Sequence, residues 1–210
     1  MSAETASRGA GAHAEIPLFP LNVVLVPEGH LPLRIFERRY LDMVRECSGE
    51  GKPFGVVLVL PPDSPDQPAS HTRIGTAAHI RDFHTMEDGL LGIVAQGGER
   101  FQVTGTRSRD DGLLVGEVQY LPPTPDLPLP AEYGLLADIV RGFMEKVGDD
   151  YPAFEHPRPD DASWIGYRLT ELLPLDIMEK QALLELDDPR TRLQALLEIL
   201  PRFQVEDEDE

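Results

Sequence analysis

Glu37, Arg38, Arg39 and Tyr40 occupy four consecutive positions, one residue beyond the strand-like run Leu31–Ile35. Either these charges do chemistry or they belong to an ordinary amphipathic helix, FERRYLDMVREC, whose Phe36, Tyr40, Met43, Val44 and Cys47 would share one face. With Arg34 and Arg45, the two arginines could supply a cationic patch for phosphate groups. The sequence offers little catalytic apparatus to go with them. Gly51-Lys52 is followed by Pro53, which has neither the hydroxyl nor the N–H that a phosphate-binding loop requires, so ATP hydrolysis of that type is excluded. Neither a G-x-S-x-G elbow nor an H-E-x-x-H helix occurs.

Metal chemistry is equally poorly provided for. His79 and His84 are five apart in a strand-like segment, so period-2 geometry sends them to opposite faces. Cys47 is the only cysteine, which excludes an intrachain disulfide and a zinc site built on several cysteines. Lysines occur only at positions 52, 146 and 180, leaving few partners for a Ser–Lys dyad. Catalytic residues, cofactor and metal are therefore all expected to be absent. Gly97-Gly98-Glu99-Arg100-Phe101 reads as a β-bulge with a packed Phe101 in preference to a ligand loop. Trp164 and Tyr167 read as packing residues.

The elements that would position these residues fall into two textures. From Ile16 to Leu121, short β-branched runs alternate with turn signals, and Asp88-Gly89 and Asp111-Gly112 predict hairpin turns because glycine accepts positive φ. Pro61–Ser70 is a proline-rich loop within this half. Prolines crowd Pro122–Pro130, and beyond them the hydrophobic period becomes helical. Helices are expected over Glu132–Val147 and Ala162–Leu173, then a third capped by Asp176 and a fourth opened by Asp188-Pro189. The expected organisation is a disordered start (1–14), a β-rich unit (15–122), a linker (123–131), a helical bundle (132–202) and an acidic disordered tail (203–210).

The 210 residues carry 37 acidic against 19 basic side chains, a net charge of −18, with five acids in Glu206–Glu210 alone. Such a field repels nucleic-acid backbones and accommodates neutral or basic protein surfaces more easily. The small, polar N-terminus lacks the apolar core of a secretory signal, and no run approaches the length of a membrane span. A cytoplasmic, soluble protein is the expectation.

IPLFPLNVVLVPEGHLPLRIFERRYLDMV, followed by IGTAAHI, the Asp88-Gly89 turn, GGERFQV and VGEVQYL, resembles in order the N-terminal substrate-binding domain of Lon, the ATP-dependent protease. Leu169–Leu200 is similar to the helical part of that domain. The resemblance covers about Ile16 to Leu200 and implies an α+β fold: a PUA-like twisted β-pseudobarrel followed by a small C-terminal helical bundle. In Lon, ATPase and protease modules follow this domain; a stand-alone domain without either is the expectation for this chain. The family commonly has proline where this chain has Arg38, and the charges at the helix start then read as architecture.

The resemblance implies a non-catalytic module that binds unfolded or extended segments of client proteins, with protease adaptor as a role it could serve. An RNA or nucleotide binder of the PUA-like type is the alternative, with Arg34, Arg38, Arg39 and Arg45 as its patch; a hydrolase with a non-standard site is a third reading. Arg34, Phe36 and Tyr40 are the candidate protein-binding residues, with Pro61–Ser70 as a second rim and a crevice beside the helical bundle as the expected place. Glu37 and Arg100 are expected to form a partly buried structural pair.

Overall fold

The computed structural model describes residues 11–62, 70–147, 154 and 156–203. The expectations for the first ten residues, for most of the Pro61–Ser70 loop and for the acidic tail after Phe203 fall outside them. The chain divides into two compact units, Met1–Pro123 and Thr124–Glu210.

Among the described residues, seven strands and one helix build the first unit: β1 (His13–Leu21), β2 (His30–Ile35), α1 (Arg38–Glu50), β3 (Phe54–Leu60), β4 (Ser70–His71), β5 (Ile74–Thr85), β6 (Leu91–Ser108) and β7 (Leu114–Tyr120). The strand order is β1-β7-β6-β5-β3-β4, and β1 returns to pair with β3 in parallel through Leu18–Leu21 and Gly55–Leu58. That last pairing closes five strands on themselves, which removes most free edges. β2 pairs with the first half of β6. This is the β-pseudobarrel implied by the sequence.

Local chemistry explains its corners. At the two hairpins Gly89 and Gly112 have φ of 81° and 79°, and the preceding aspartates accept the N–H groups of Leu90 and Leu113 at 3.1 and 3.0 Å. The expected bulge at Gly97-Gly98 is present, as a register shift between Thr76 and Ala78 on β5. A Cβ on Gly97 would lie 2.2 Å from the Val26 carbonyl oxygen, and Gly97 exchanges backbone hydrogen bonds with Glu28 and Gly29 at 2.8 and 2.9 Å. The glycine therefore admits a backbone turn against the barrel wall.

α1 starts two residues later than the apolar spacing predicts. Glu37 is extended (φ −79°, ψ 135°) and forms the N-cap without a side-chain hydrogen bond to the helix. Tyr40, Met43, Val44 and Cys47 face the core as expected, but Phe36 lies outside the helix and is 67% exposed. Arg38 is the first helical residue, the position at which proline's fixed φ is tolerated best.

In the second unit α2 (Gly134–Val147), preceded by a 3₁₀ turn at Ala131–Tyr133, packs with α3 (Ala162–Leu172), α4 (Ile177–Glu185) and α5 (Pro189–Ile199). The predicted caps are in place: Asp176 and Glu179 form a reciprocal capping box, and Asp188 accepts the Thr191 N–H at 3.0 Å with Pro189 in the first turn. The stretch 123–131, expected to be a linker, is stitched to this unit. Leu129 N–H donates to Asp160, Ala162 N–H donates to Leu127, and the Ser163 hydroxyl donates to Pro125, at 2.8 to 2.9 Å. Leu127 and Leu129 join its apolar core. No helix among the described residues is long and apolar enough to cross a membrane.

Candidate functional site

The end of β1, the end of β2 and the start of α1 converge on an open groove of about 530 Å³ in the first unit. Arg34, Phe36 and Tyr40, the three residues singled out in the sequence, all line it. Ser70 and His71 of β4 form part of its rim. Ser70 is the last residue of the proline-rich loop Pro61–Ser70 expected there.

The floor is aromatic. Tyr40 is buried and stacks on Phe19, with ring centroids 3.9 Å apart and planes inclined by 20°. The Arg39 guanidinium lies 4.7 Å from the centre of the Tyr40 ring. Burial raises the Tyr40 phenol above its ordinary pKa, with the Arg39 charge opposing and the Glu37 charge assisting. Phe36 stands exposed at the lip, an apolar ring with no core to enter.

Arg39 fixes the wall of the groove. Its Nη1 donates to the Gly112 carbonyl of the β6–β7 hairpin at 3.0 Å, and its Nη2 meets the Glu37 carboxylate at 2.8 Å. From the other side, Arg109 of that hairpin makes a two-pronged contact with Glu46 of α1 at 2.8 and 3.1 Å. The helix and the hairpin are thereby cross-linked in both directions.

The expected Glu37–Arg100 pair does not form, because Glu37 is taken by Arg39. β2 reaches the register of Leu91 at Ile35, whereas Arg100 lies nine residues further along the same strand, opposite Thr76. At the usual strand rise that separation is on the order of 30 Å. Arg100 is instead buried within the barrel wall, only 4% exposed.

The four arginines of the proposed cationic patch share three carboxylates. Arg34 meets Asp88, Arg38 and Arg45 meet Asp42 at 3.8 and 2.9 Å, and Arg39 meets Glu37. Among the described residues no three His, Cys, Asp or Glu side chains gather to hold a metal ion. Sequence reasoning missed Phe19 and Leu114 as lining residues, whereas Arg39 falls within the Phe36–Tyr40 junction that it marked. Phe19 belongs to an apolar run in which nothing distinguishes a groove floor from a core position.

A family model described as the ATP-dependent protease La (LON) substrate-binding domain matches residues 15–202. The chain belongs to this family. The Lon N-terminal domain protein of Xanthomonas campestris is 41% identical, with a TM-score of 0.74 over 88% of this chain and 98% of that one. The N-terminal domain of the Mycobacterium avium complex Lon protease shares the fold at a TM-score of 0.60 and 17% identity, over 88% and 97% of the two chains. Lon protease 2 of Herpetosiphon aurantiacus is 26% identical over 91% of this chain and 24% of its own length. Cereblon of Danio rerio is 31% identical over 51% of this chain and 25% of that protein. The Lon-domain chain thus spans about a quarter of the length of the curated relatives it matches.

Proposed function

We infer that this Lon-domain chain recognises extended, apolar segments of other proteins in the groove floored by Phe19 and Tyr40, and that its role is recognition and not catalysis. The observation that carries the reading is the exposed Phe36 ring beside an aromatic-floored groove whose wall is cross-linked in advance. A preformed concave site loses little ordering entropy on binding. Membership of a substrate-binding family supports the same conclusion. Serving as an adaptor that hands clients to a separate protease is the cellular role that fits such a module. The RNA or nucleotide alternative is disfavoured by the net charge of −18, and its four arginines share three carboxylates, Asp88, Asp42 and Glu37.

The test is titration of an unfolded client protein into the labelled chain, followed by NMR. Binding in the micromolar range, about −8 kcal/mol, with shifts at Phe19, Phe36 and Tyr40, is expected. Shifts confined to other surfaces, or no binding at high protein concentration, would overturn it.

A further inference from the structure

Glu37 and Arg39 face one another at the mouth of the groove, and the two ends of that ion pair are held very differently. Arg39 keeps two contacts that do not involve Glu37: its donation to the Gly112 carbonyl at 3.0 Å and its position over the Tyr40 ring at 4.7 Å. Glu37 has no such support. It is the N-cap residue of α1, yet its side chain makes no capping hydrogen bond, and its carboxylate meets only Arg39 among the ion pairs of the described residues. Both side chains are accessible to solvent, at 36% and 43% exposure. The guanidinium is thus fixed and the carboxylate is free to swing away.

We propose that Glu37 is a placeholder, and that the groove's preferred occupant is an extended protein segment carrying an acidic side chain next to an apolar one. The apolar side chain enters over Phe19 and Tyr40, and the segment's carboxylate replaces that of Glu37 on Arg39. This rests on the groove being the binding site. Charge complementarity selects the occupant: a fixed guanidinium beside an apolar floor accepts a carboxylate and rejects an ammonium group. Arg34, the other cation lining the groove, is directed to Asp88 of the hairpin turn. Arg39 is therefore the group that reads the segment's charge.

Fluorescence anisotropy with two short labelled peptides, one centred on Leu-Phe-Glu and one on Leu-Phe-Gln, tests the exchange. In the wild type one ion pair on Arg39 is exchanged for another, so the acidic peptide should bind no more than about twofold tighter, and any advantage should shrink as salt is raised. Glu37→Gln should tighten the acidic peptide about two- to fivefold, the range an exposed ion pair carries, and alter the neutral one less, because the internal competitor is gone. Arg39→Gln should abolish the preference; if that variant does not fold, Glu37→Gln alone decides. Equal binding of both peptides in the groove, unaltered by Glu37→Gln, would overturn the exchange while leaving the groove as the site. Absence of binding by either peptide, or NMR shifts away from the groove, would overturn the site itself and the exchange with it.

Discussion

The Arg192 guanidinium lies 4.0 Å from the centre of the Tyr167 ring and donates through Nη2 to the Tyr167 hydroxyl at 3.1 Å. The same side chain is completely buried and donates from Nε to the Leu183 carbonyl at 3.0 Å, with a further bond to the Leu186 carbonyl. These carbonyls lie at the C-terminal end of α4, where the helix cannot satisfy them itself. One arginine on α5 therefore closes α4 and holds α3. Replacing it with methionine should destabilise the chain by roughly 2–6 kcal/mol, since two carbonyls lose their donors at about 1–3 kcal/mol each. Urea unfolding of Arg192→Met with a midpoint equal to wild type would contradict this.

Tyr40 carries the groove floor as well as part of the barrel core. Tyr40→Ala should cost about 3–5 kcal/mol, as removal of a buried aromatic ring does. Tyr40→Phe keeps the stack on Phe19 and should cost less than about 1.5 kcal/mol. Calorimetric unfolding of the two variants checks the ranking, and comparable losses would show that the hydroxyl matters more than the ring.

Gly97 and Gly89 should respond differently to alanine. At Gly97 the new Cβ would lie 2.2 Å from the Val26 carbonyl oxygen, a backbone atom that cannot step aside. At Gly89 there is open space, and the cost is that of a left-handed conformation, about 1 kcal/mol. Gly97→Ala should be the more damaging by chemical denaturation. The reverse order would mean that the turn at Glu28 is not anchored on β6.

Cys47 supplies a pH dependence. Burial, aided by the charges of Glu46 and Glu50 and opposed by Lys52, pushes its thiol from 9.0 to about 11 in the folded chain. Between those values the unfolded chain has released a proton that the folded chain keeps, so stability must fall as pH rises through the window. Below it the thiol contributes nothing to the pH dependence. Denaturation at pH 8 and pH 10 should show this decline in wild type and a shallower one in Cys47→Ala. Parallel slopes would remove Cys47 as the cause.

Much of this fold is written in local chemistry. The Asp-Gly turns, the aspartate caps of α4 and α5 and the apolar face of α1 depend on residues a few positions apart, and each was legible without coordinates. So was the family, through the order of its motifs. Arg34, Phe36 and Tyr40 could be chosen as candidates because their types stand out where strand gives way to helix.

What only the tertiary structure decided are the relations between distant positions. The parallel return of β1 onto β3 closes the barrel through segments separated by more than thirty residues, a pairing with no local signal. Glu37 meets Arg39 and not Arg100, because strand register, invisible in residue type, places Arg100 nine residues along β6 from the end that Ile35 reaches. Arg39 acquires its groove position from a carbonyl contributed by Gly112. A charged residue at a helix start is architecture in the sequence; the hairpin packed against it makes it a candidate recognition group.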